Sequence, residues 1–188
     1  MMKLTTQEIQ ITKGDIMMDE IISQIKKQQD INFMNAKDQI LIADLALAVD
    51  AENNSRYIFH YLHSLDRFFI NSADYVYEGE RLLGIPEHLS VVDSKRDGYE
   101  KDSSIVISRD KLLDYYEYVK NKITDYFNIL TAADLLQKPQ GSEYTRLEII
   151  LGQFRHLMWH VGFSSAVALV SNKEWDTYKG LNAFGVKG

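Results

Sequence analysis

His156 and His160 stand four residues apart in the stretch 145–170, TRLEIILGQFRHLMWHVGFSSAVALV. On a helix, residues i and i+4 share one face with Cβ atoms roughly 6 Å apart, so two imidazoles at this spacing can reach one ion. Gln153, a turn earlier, could orient a ligand or a bound water. Two histidines alone rarely hold an ion tightly, so a third ligand must come from elsewhere in the chain. The competing reading is structural, because a histidine on an apolar stripe is commonly a satisfied core residue.

The third ligand has few sources. The chain contains no cysteine, which removes thiolate sites, disulfides and any cysteine nucleophile and leaves nitrogen and oxygen donors only. Three other histidines remain. His60 and His63 lie in SRYIFHYLHSLDRFFIN, residues 55–71, beside Tyr57, Ser64 and Arg67, and either could face inward. His88 falls in a stretch without periodicity and reads as a solvent-exposed loop residue.

Positioning these side chains requires helices, and the sequence supplies their signals. Thr145 and Glu148 form a capping box just after Pro139 and Gly141, so a helix can begin at Arg146. Its core-facing stripe is predicted to run through Ile149, Gln153, His156, His160, Phe163, Val167 and Val170. Asn53 and Asn54 are good N-caps for a deeply buried helix over 55–71. Ser108 caps a helix over 109–130, where Leu112, Tyr116, Val119, Ile123, Tyr126 and Leu130 keep a strict four-three spacing. Near the N-terminus, Asp15 precedes a helix with Met18, Ile21, Ile22 and Ile25 inward. Residues 36–49 are strongly apolar and either continue that helix after a kink or form a separate short one. Residues 1–14 read as an N-terminal arm, and 172–188 as a polar tail that Trp175 and Phe184 either pin down or turn toward a partner subunit. Residues 72–107 form the longest connection, with enough apolar side chains to pack onto a helical core. The expected fold is all-α: one domain, 1–188, built as a four-helix bundle with a long crossover between helices 2 and 3.

The composition bounds the function. A net charge of -6, with no basic run, argues against generic binding to nucleic acid or an anionic membrane. The N-terminus lacks an apolar signal core and the longest apolar run is interrupted by Asp44, so a soluble cytoplasmic protein is the default expectation.

Two stretches resemble the DinB-like (YfiT-like putative metalloenzyme) superfamily. One is His60-Tyr-Leu-His-Ser-Leu-Asp66, similar to that family's H-x-L-x-x-x-D pattern; the other is Gln153-Phe-Arg-His156-Leu-Met-Trp-His160-Val-Gly162, similar to its N-x-R-H-x-x-x-H-x-G pattern. The likeness spans about residues 15–175. It implies an up-down-down-up bundle with a divalent metal, zinc, nickel, iron or manganese, held by His60, His156 and His160, leaving His63 as a neighbour. It also implies a small-molecule substrate and a low-molecular-weight thiol as cosubstrate, in a transferase or hydrolase reaction. Gln153 replaces the family's asparagine, and Phe163 replaces the glutamine that follows H-x-G, so the polarity around the ligands differs. Tyr57, Asp66 and Gln153 are the candidate helpers. The alternative is a non-catalytic protein that binds metal or forms a homodimer through its apolar helices.

Overall fold

Residues 13–49, 52–68, 75–92 and 104–184 are described by a computed structural model, and they are predominantly helical. Helix α1 (Lys13–Ile42) runs unbroken, so residues 36–42 continue the first helix without a boundary. Two apolar segments merge because the residues between them are buried polar ones: Gln29, Asn32 and Asn35 share the inward face with Ile22, Ile25, Phe33, Ala36 and Ile40. Asn35 is satisfied across the fold, donating to the Lys179 carbonyl at 2.9 Å and accepting from the Lys179 amide at 2.7 Å. Ile21, expected inward, is 43% exposed. The side chain of Met18 and residues 1–12 of the expected arm lie outside the described residues, while the last two of that arm, Lys13 and Gly14, belong to α1. The last carbonyls of α1 are capped from a distance, by the Arg109 guanidinium donating to Ile40, Leu41 and Ala43.

A two-residue antiparallel pair, β1 (Ala48–Val49) and β2 (Glu52–Asn53), leads into α2 (Asn54–Phe68). Asn53 serves as N-cap, its Oδ1 accepting from the Arg56 amide at 3.3 Å. Helix α2 is buried on most of its circumference: Ile58, Phe59, Tyr61, Leu62 and Leu65 have no exposed surface. The expected continuation to residue 71 falls partly outside the described residues, as does the charged string over 93–97.

Residues 75–92 pack down as the apolar content of that stretch predicts. They contain α3 (Gly79–Leu83) and a 3-10 turn (Glu87–Ser90). Gly84 ends α3 in the left-handed region at φ 61°, which spares a Cβ clash. Ile85 and Leu89 then enter the core. Arg56, itself buried against Glu52, donates to the carbonyls of Leu89 at 3.1 Å and Val91 at 2.9 Å, fastening the segment to α2.

Ser108 caps α4 (Arg109–Ile129), accepting from the Lys111 amide, and the predicted four-three stripe is buried throughout. Thr145 and Glu148 form the expected capping box at the start of α5 (Arg146–Asn172). Its buried seam, however, is Ile150, Leu157, Val161, Ser164 and Ala168, one residue further along than predicted. The predicted stripe lies on the shoulder of this seam: of its members only His160 is buried, and Val170 is 75% exposed.

Helix α1 packs against α4 and α5, and α2 packs against the same two. Side-chain contacts place Asn172 at the Ile42 carbonyl, Lys26 at Asn128, Ser164 at Asn54 and Ser64 at Gln153. Beyond α5 the chain is tied to α1 through Lys179 and through Lys27 over the Phe184 ring, while Trp175 stays 63% exposed. No helix among the described residues is long and apolar enough to cross a membrane.

Candidate metal centre

The shoulder of α5 brings His156 and His160 against His60 of α2. His156 Nε2 lies 3.3 Å from His60 Nε2 and 3.1 Å from His160 Nε2. Among the described residues these three form the group able to hold a metal ion, with ligand atoms all within 4.8 Å of one another. The ring planes meet edge to face, with centroids 4.6 to 5.2 Å apart, so the nitrogens point inward without the rings stacking.

The short separations suit a shared cation as well as they suit hydrogen bonds between imidazoles. Nitrogens bound to one ion at 2.0–2.1 Å sit about 3.0–3.3 Å apart, depending on the angle at the metal. The two short Nε2 separations fall in that range. His60 Nδ1 is 2.7 Å from the Ser90 carbonyl, an acceptor only, so Nδ1 carries the proton and Nε2 presents a lone pair to the cluster. A carbonyl behind a histidine is the usual device that fixes a ligand's tautomer and ring orientation. The fastening of residues 75–92 onto α2 therefore serves the site directly, because Ser90 belongs to that segment.

His156 and His160 lack this support. Their Nδ1 atoms are buried without a hydrogen-bond partner. The rings are held by packing, with His160 between Tyr61 and Trp159 at centroid distances of 6.3 and 4.6 Å. Proton uptake is opposed at all three. Burial, and then the charge of His60, lowers His156 to about 4. Burial, and then the charges of His60 and His156, lowers His160 to about 3. His60 is lowered chiefly by burial, against the Ser90 hydrogen bond that raises it. Near neutral pH the site is three uncharged nitrogen donors.

The other sequence candidates divide. His63 leaves the cluster: its Nε2 is 2.9 Å from Glu87 Oε1, and its ring packs against Phe59, Tyr75 and Tyr77. His88 is exposed, as expected of a loop residue. Asp66 is buried and committed elsewhere, accepting from Tyr75 at 3.0 Å, Tyr115 at 2.9 Å and Lys122 at 2.5 Å. Gln153 stays beside the trio, its Oε1 accepting from Ser64 Oγ at 3.2 Å. Tyr57 packs on Phe163 at 5.5 Å.

An open cleft of about 890 Å³, lined by Ser64, Tyr144, Gly152, Gln153, Arg155 and His156 among others, runs along the N-terminal half of α5 and borders the cluster at His156. That volume is in the range of small-molecule sites, roughly 300–1,000 Å³. Sequence reasoning missed three features: the Ser90 carbonyl, the Glu87 partner of His63, and Trp159 against His160. The first is backbone and leaves no mark in residue type. No family model, curated protein or solved structure matches the chain.

Proposed function

We propose that this chain is a metal-dependent enzyme of the DinB-like kind, in which His60, His156 and His160 hold a divalent ion inside an up-down-down-up four-helix bundle. The contacts between helices support that topology. Asn172 beside Ile42 aligns the C-terminal ends of α5 and α1, while Lys26 with Asn128 sets α4 against α1. Ser164 with Asn54 and Ser64 with Gln153 set α2 against α5.

The observation that carries the reading is the approach of three neutral ring nitrogens to one another, beside an open cleft that His156 lines. Three protein ligands leave further coordination positions open, the pattern of catalytic sites more than of structural ones. Zinc, nickel, iron or manganese held there would bring the pKa of a coordinated water or thiol toward neutrality. The chain's own part is to keep the histidines uncharged, to hold His60 in one tautomer through Ser90, and to admit a small molecule past Gln153 and Ser64. With no cysteine in the chain, any thiol in the reaction arrives with the substrate or cosubstrate, as a low-molecular-weight thiol.

Metal analysis of the freshly purified protein tests the site. One equivalent of a divalent ion, lost in His156→Ala and His160→Ala, is the expected result; no binding at neutral pH after metal addition refutes it. A turnover screen with and without small thiols tests the enzyme. Rates no faster than those of His60→Ala across all substrate classes would reduce the protein to a metal binder.

A further inference from the structure

The Ser90 carbonyl that holds His60 is itself held. Its peptide group joins Ser90 to Val91, and the Val91 amide at the far end donates to the His88 carbonyl at 3.1 Å. The carbonyls on either side, of Leu89 and Val91, both accept from the Arg56 guanidinium, through Nε at 3.1 Å and Nη2 at 2.9 Å. Its third nitrogen, Nη1, donates to the Glu52 carboxylate. One planar group thus brackets the residue whose carbonyl oxygen meets His60 Nδ1 at 2.7 Å. Ser90, Arg56 and Glu52 are all buried.

The place of Arg56 on α2 makes the link direct. It precedes His60 by four residues, so the guanidinium and the imidazole it serves rise from one helix face, a turn apart. The position of the held segment matters, because it presents a carbonyl to His60 and the Glu87 carboxylate to His63. Stability alone does not account for an arginine here. A buried ion pair typically contributes no more than apolar side chains of like volume would, because both charges lose their water. Apolar side chains could not hold two carbonyls, and the single ammonium of a lysine has no planar fork to span them.

We propose that Arg56, fixed by Glu52, is a positioning residue for the metal centre. By gripping the backbone on both sides of Ser90 it sets the carbonyl that keeps the His60 proton on Nδ1 and leaves Nε2 as the donor turned toward His156 and His160. The role rests on the metal reading proposed above for its purpose, but the tautomer that Arg56 fixes is present without an ion.

The test uses the full chain, isotope-labelled in histidine and freed of metal with a chelator. Long-range nitrogen–proton correlation NMR near neutral pH reads the tautomer of His60, assigned by its loss in His60→Gln. Wild-type His60 is expected as the Nδ1-protonated form. Arg56→Lys, which keeps a charge for Glu52, and the paired Glu52→Gln, Arg56→Met variant, which removes both charges, should each show a mixture of tautomers. Zinc affinity, by chelator competition, should fall about tenfold in both, the low end of what losing a ligand's hydrogen-bond partner costs. Arg109→Lys is the control. That guanidinium also gathers backbone carbonyls, those of Ile40, Leu41 and Ala43 at the end of α1, so its loss should lower Tm while leaving tautomer and zinc affinity unchanged. An Nε2-protonated His60 in the wild-type protein, a result that needs no variant to fold, overturns the inference. So does an unchanged tautomer in Arg56→Lys, or an equal loss of zinc affinity in Arg109→Lys. A wild-type chain that takes up no zinc, yet holds the tautomer and loses it in Arg56→Lys, sinks the metal reading and leaves the role of Arg56; zinc uptake with affinity unchanged in both variants sinks the role of Arg56 alone.

Discussion

The sharpest consequence of the site concerns acid. Protons and a metal ion compete for the same nitrogen lone pairs, so an ordinary three-histidine site weakens steeply below the imidazole pKa. With a pKa of about 6.5, each free imidazole is about nine-tenths protonated at about pH 5.5, which costs about tenfold per ligand and about a thousandfold for three. In the folded protein His156 titrates at about 4 and His160 at about 3, both held down first by burial. Those two ligands remain deprotonated at that pH and contribute no loss. His60 is also lowered, so its own loss stays below the tenfold of a free imidazole. The apparent affinity for zinc should therefore fall by less than about tenfold between about pH 7.5 and 5.5. Competition titration against a chromophoric chelator calibrated at each pH measures it. A loss approaching a thousandfold would show that the histidines are solvated and separate, and would refute the buried cluster.

The same shifts fix the sign for stability. A histidine whose folded pKa is depressed takes up its proton more readily in the unfolded chain. The metal-free fold should be at full stability above about pH 6.5 and lose it as the pH falls toward 4 and then 3, the values of His156 and His160.

Three further outcomes test the packing. Leu157→Ala, at a fully buried seam position of α5, should cost about 2–5 kcal/mol in urea unfolding, whereas Val170→Ala, 75% exposed, should stay within about 0.5 kcal/mol. Asp66→Ala strands the Lys122 ammonium and two tyrosine hydroxyls, and should cost about 3 kcal/mol, lowering Tm by roughly 6–12 °C. His63→Ala should retain a full equivalent of metal while losing about 1 kcal/mol, because Glu87, its partner, is already partly in water.

Local signals in the sequence proved more dependable than faces. Ser108, Asn53 and the Thr145–Glu148 box each cap the helix they announce, because a cap depends on a few adjacent residues. The seam of α5 differs from the predicted stripe because apolar residues come in clusters, Ile149-Ile150-Leu151 and Leu157-Met158-Trp159, which admit two four-three registers one residue apart. Packing chose the register with small residues: Ser164, Ser165 and Ala168 are buried, and Ser164 reaches Asn54 of α2. Helix α1 looked divisible because buried amides interrupt its apolar stripe, and their partners, such as Lys179, lie far away in sequence. Likewise nothing local distinguished His60 from His63 on a helix buried on most sides. Residues 75–92 make the distinction, offering the Ser90 carbonyl to one ring and the Glu87 carboxylate to the other.

The register of α5 bears on the site itself. Histidines on the buried seam of α5 would face the apolar side chains that close the core, with no route for a ligand. Turned onto the shoulder, they keep enough burial to stay uncharged while His156 borders the cleft. The core beneath is complete without them, through Ile150, Leu157 and Val161, so the fold does not depend on an ion to close it. What the histidines cost the metal-free protein is two buried Nδ1 atoms without partners and the burial of three imidazoles close together. A fold that could fill this shoulder with leucine instead carries that local frustration, a loss of stability that the proposed metal site would account for.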